Sequence, residues 1–121
     1  MKRLLFALPF VLCAFTARQT ETVVRVEYYE PISKANGQPL NDLAFTKIHY
    51  EMNGTTVTVA TMTATSPNGG GYVVRSVTVP VPMGEERTVR MWATAHDSVQ
   101  SSTPSATEVI LFDRLPPSPP R

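Results

Sequence analysis

Apolar and polar residues alternate with a period of two along most of this chain, the spacing that sends successive β-strand side chains to opposite faces. Val24, Val26 and Tyr28 interleave with Arg25, Glu27 and Tyr29, so residues 20–30 read as a strand. Residues 45–52, 55–65, 72–81, 88–95 and 107–112 repeat the rhythm and are rich in valine, threonine and aromatic residues. Turn signals divide them: Asn36-Gly37, Asn53-Gly54, the run Ser66 to Gly71, then Pro80, Pro82 and Gly84, and the polar stretch 98–105. Asn53-Gly54 is the strongest, since both residues tolerate the left-handed backbone of a type I′ hairpin turn. Residues 72–81 are expected to pair back onto 55–65 as a second, long hairpin. No helical period appears beyond residue 17. Short strands with turns between them predict an all-β sandwich.

The N-terminus has a different pattern. Lys2-Arg3 precedes an apolar run over residues 4–15, and Ala14, Thr16 and Ala17 are small or short side chains at its end. That is the layout of an export signal, with cleavage after Thr16 or Ala17. The run is shorter than the roughly 20 residues that span a bilayer as a helix, and Pro9 interrupts it, so no stable membrane span is expected. The predicted organisation is a leader over 1–17, a sandwich over 18–114 and a proline-rich tail over 115–121. The protein is then secreted, periplasmic or part of the cell envelope. Cys13, the one cysteine, lies inside the leader. Leu12 stands before it where a lipidated cysteine has a small residue, which disfavours a lipid anchor. Without a thiol, the exported domain relies on its core and not on disulfides.

At 121 residues with 42% hydrophobic side chains, the chain suits one folded domain. Without Lys2 and Arg3, nine of the 11 basic residues remain against 10 acidic ones. This balance gives no basic surface for nucleic acid.

Residues 36–50, NGQPLNDLAFTKIHY, resemble the loop and third strand of fibronectin type III modules of the bacterial kind, in which a loop of the form NG-x-PL-x-DL precedes a strand of the form YRIYY. Met91, Ala93, Ala95 and Asp97 are similar to that family's x-F-x-V-x-A-x-D strand, and the likeness extends over about residues 23–113. The resemblance implies an immunoglobulin-like, fibronectin type III-like β-sandwich. It places Tyr28 where the family has a core tryptophan, so the Tyr28 hydroxyl needs a partner or a route to the surface. It leaves only residues 18–22 for the first strand, which is short or missing. It also makes the strand of Ile48 and the strand of Met91 neighbours in one sheet.

No constellation for catalysis stands out. The exported chain has no cysteine nucleophile, no Gly-x-Ser-x-Gly elbow and no lysine beside Gly69-Gly70-Gly71, which reads as a turn and not a phosphate loop. Asp42 and Asp97 sit at loop ends, where aspartate closes turns. No cofactor is expected. His49, His96 and Glu51 do not by themselves make a metal site, because a third well-placed ligand is needed. Asn53-Gly54-Thr55 has the form of a glycosylation sequon, but the turn alone accounts for it.

Strand parity carries the sharper expectation. If Ile48, Tyr50, Met91, Ala93 and Ala95 point inward, then Phe45, Lys47, His49, Glu51, Arg90, Trp92, Thr94 and His96 point outward. Phe45, His49, Arg90, Trp92 and His96 are the candidate binding face, with the composition that hot spots favour. A slip of one residue would instead send Trp92 into the core, and the tail or the long hairpin could cover it. The expected function is an exported, non-catalytic binding or adhesion module engaging a protein or cell-surface polymer. The alternative is a structural subunit of a surface appendage or virion-like assembly, self-associating through an open sheet edge.

Overall fold

The computed structural model describes residues 2–5, 18–19, 22–102, 105 and 107–120. Among these, every regular element is a strand: β1 (Lys2–Leu5), β2 (Arg18–Gln19), β3 (Val23–Tyr29), β4 (Phe45–Met52), β5 (Thr55–Thr63), β6 (Tyr72–Thr78), β7 (Glu86–His96) and β8 (Glu108–Asp113). They form a three-stranded sheet in the order β1-β3-β6 and a five-stranded sheet in the order β2-β8-β7-β4-β5. All neighbours are antiparallel except β1 on β3 and β2 on β8, which are parallel. The architecture is a β-sandwich. No helix of the described residues is long and apolar enough to cross a membrane.

The alternation of the sequence becomes the core. Val24, Val26 and Tyr28 of β3 meet Ile48 of β4, Met91 of β7 and Phe112 of β8, all fully buried between the sheets. Burying each of these larger side chains contributes about 1.5–3 kcal/mol. Tyr28 is the largest of the fully buried side chains. Its hydroxyl crosses the sandwich to the Thr46 hydroxyl at 2.5 Å, so the phenol is satisfied without reaching water. Burial, against the lowering effect of that hydrogen bond, pushes its pKa up to about 12.

The β4–β5 hairpin turns at Asn53 (φ 55°) and Gly54 (φ 80°), both left-handed as the Asn-Gly pair requires. The expected second hairpin does not form. β5 pairs only with β4, whereas β6 pairs with β3 in the other sheet. The run 64–71 is a crossing between sheets, and Glu30 explains it. Its buried carboxylate accepts from the Thr65 amide (3.0 Å), the Thr65 hydroxyl (2.5 Å) and the Gly71 amide (3.0 Å). The crossing is thereby tied to the end of β3. Gly69 has φ +70° and lies so close to the Pro31 carbonyl that a Cβ would overlap it, so this turn demands glycine.

On the five-stranded sheet, β2 holds two described residues. Lys2–Leu5, read from the sequence as the start of a leader, runs beside β3 in parallel register in the full chain. Cys13 and the expected cleavage positions lie outside the described residues. The tail after Arg114 is exposed and carries no regular structure through Pro120, as its prolines dictate.

Candidate functional site

The β4–β7 ladder decides where the candidate residues point. Its register sets Phe45 opposite His96, Lys47 opposite Thr94, His49 opposite Trp92 and Glu51 opposite Arg90. Ile48, Tyr50, Met91, Ala93 and Ala95 are buried in the sandwich, so the other parity forms the outer face. All five predicted residues, Phe45, His49, Arg90, Trp92 and His96, share that face, and no slip carries Trp92 into the core.

The face is built from cross-strand ring pairs. Phe45 and His96 stack at 4.9 Å between centroids with planes 14° apart. His49 and Trp92 stack at 5.6 Å and 22°. The Lys47 ammonium lies 5.4 Å from the Phe45 ring centre, within cation–π range. These four rings are half-buried against one another, whereas Arg90 is exposed.

Hydroxyl groups tie the rings together. His49 Nδ1 bonds Thr58 Oγ1 of β5 at 3.0 Å, and His49 Nε2 bonds Thr94 Oγ1 at 2.7 Å. Thr94 Oγ1 also bonds His96 Nε2 at 2.7 Å, and His96 Nδ1 bonds Ser101 Oγ at 3.1 Å. A hydroxyl has one proton to give. If Thr94 donates to His96, neutral His49 must carry its proton on Nε2 and accept from Thr58 at Nδ1. If Thr94 donates to His49, the directions reverse. The two tautomers are therefore coupled through one buried hydroxyl. The sequence reading did not single out Thr58, Thr94 or Ser101; the signal was a threonine of outward parity two residues before His96.

Electrostatics keep both rings neutral near pH 7. Burial lowers the pKa of His49, and the nearby His96 and Lys47 lower it further. Burial and then Lys47 lower that of His96, while Asp97 pulls it the other way. A histidine with a depressed pKa binds fewer protons folded than unfolded. Stability is then lost as pH falls from the ordinary imidazole value toward the folded one, and it levels off below that. We expect the melting temperature to drop between pH 7.5 and pH 5.5 or so, and His49→Gln to flatten that drop. Thermal scans across pH check this; an unchanged slope in the variant would count against coupled histidines.

The end of the face is held by serines. β8 does not reach the last residues of β7, and the Ser105 and Ser102 hydroxyls accept from the Ala93 and Ala95 amides instead, each at 2.9 Å. Asp97 accepts from the Val99 and Gln100 amides, closing the turn as its loop-end position predicts, and those bonds lower its pKa. Beside it, a cleft opens between the loop after β3 and the loop after β7. Leu40, Leu43 and Ala95 form its apolar floor, and Lys34 and Asp42 pair at its rim at 3.8 Å. Among the described residues, no group of three or more His, Cys, Asp and Glu side chains could hold a metal ion.

Comparison with known proteins finds no matching family model, no matching curated protein and no matching solved structure.

Proposed function

We infer that the chain is an exported, non-catalytic binding module with a fibronectin type III-like sandwich, engaging a protein or polymer of the cell envelope or cell surface. The outer face of β4 and β7 carries this reading. It gathers the single tryptophan, both histidines, a phenylalanine and an exposed arginine into one strip whose rings are locked by stacking and hydroxyl bonds. Aromatic and arginine side chains held rigid lose little entropy on binding, which is why hot spots favour them. The order of β3, β6, β8, β7, β4 and β5, with Tyr28 at the centre, supports the fibronectin-like reading.

Trp92 is its own reporter. Isolated envelopes of the source cell, added to the purified protein, should blue-shift its emission and reduce its quenching by acrylamide. Phe45→Ala combined with Trp92→Ala should weaken co-sedimentation with envelopes by about tenfold or more, with far-UV circular dichroism unchanged. Arg90→Ser is the control that leaves ring packing intact and should weaken it too. Undiminished co-sedimentation of both variants would overturn the reading.

A further inference from the structure

We propose that the outer edge of β5 is a docking edge for a second copy of this chain, the two β5 strands pairing antiparallel about a two-fold axis. β5 is the last strand of its sheet, and among the described residues no strand pairs with its free side. Its nine residues, TTVTVATMT, include no charge, no proline and no glycine. Those are the devices by which edges are usually kept from pairing. The bulge at Val59 is the one such feature, and both arms beside it stay in register with β4.

The core points to the same edge. Among the described residues, the partly buried hydrophobic side chains that pack on the main cluster lie here: Val57, Val59 and Met62 on β5, and Met52 at the hairpin end of β4. Among the described residues, the main cluster is thus least covered on this side. A two-fold partner fits both faces of the strand. Its threonines meet threonines on the outer side, and its valines and methionine meet their own kind on the inner side. An uncharged edge offers little to select a different protein, whereas this self-matching suits an isologous pair. Pairing through the β5 backbone leaves the ring strip on β4 and β7 open, and Thr58, which bonds His49, is the residue the two sites share.

Analytical ultracentrifugation of the purified chain over a dilution series should show a monomer–dimer equilibrium. A two-fold pairing centred on the strand sets Thr56 of one copy opposite Thr63 of the other, both on the outer side. Thr56→Lys with Thr63→Lys, and separately Thr56→Glu with Thr63→Glu, should each raise the dissociation constant by about tenfold through like-charge contact. Mixing the two variants should restore association. Amide exchange needs no variant: β5 amides should gain protection as wild-type concentration rises, while β7 amides do not change. A wild-type chain that stays monomeric, association unaltered by either charge pair, or β5 exchange independent of concentration would each overturn the proposal.

Discussion

Tyr28→Ala is expected to lower the unfolding free energy of the domain by about 3–5 kcal/mol, the largest loss of any single truncation in the core. Tyr28 is fully buried, is the largest such side chain, and touches both sheets. Removing a buried aromatic ring costs about 3–5 kcal/mol, through lost burial and the cavity left behind. A small domain holds only about 5–15 kcal/mol in total, so this one change takes a large share of it. Tyr28→Phe isolates the hydroxyl. It keeps the ring but strands the buried Thr46 hydroxyl, whose only described partner at 2.5 Å is removed, at a cost of about 1–3 kcal/mol. Thr46→Val in the same chain should recover much of that loss, since both polar ends are then gone. Urea unfolding of the four-member cycle checks this. A Tyr28→Phe loss that Thr46→Val deepens, and does not relieve, would show that the pair is not what makes tyrosine acceptable there.

The outward set was legible because it depends on parity alone. One strand suffices to say that Phe45, Lys47 and His49 share a face, and another to say the same of Trp92 and His96. What neither strand carries is register. Only the ladder sets His49 against Trp92 and Phe45 against His96, and only then does Thr94 fall between two imidazole nitrogens. The change of sheet after β5 was not legible for a different reason. Ser66-Pro67-Asn68-Gly69-Gly70-Gly71 has the turn chemistry of a long hairpin, and that chemistry serves a crossing between sheets equally well. The clue lay elsewhere, in a glutamate at the end of an alternating strand. A carboxylate buried at such a place must find donors, and here they come from the crossing. The partly covered core at β5 was hidden by composition, since Val57, Val59 and Met62 look like any other inward set until the sheet order puts β5 last among the described strands.

Glu30→Ala should produce the second large effect. The carboxylate is buried, with 1% of its surface exposed, and it satisfies two backbone amides and one hydroxyl of the crossing. Truncation leaves these three part-buried donors without their acceptor, at a cost of about 3 kcal/mol. Glu30→Gln is not a neutral replacement. Donors converge on both carboxylate oxygens, so one end of the amide would set its NH2 against a donor, and a loss of about 1–2 kcal/mol is expected. The damage should be local before it is global. The crossing also receives the Leu43 amide at Pro67 and gives the Asn68 side-chain amide to Leu40, and Ala44 bonds both Ala64 and His96. Loosening it therefore loosens the segment that leads into Phe45 and the end of the candidate face. Hydrogen exchange should show Thr65, Gly71, Leu43 and Ala44 losing protection in Glu30→Ala by much more than the β7–β8 ladder. If all regions lose protection equally, Glu30 supports only the global fold, and the crossing does not hold the face in place.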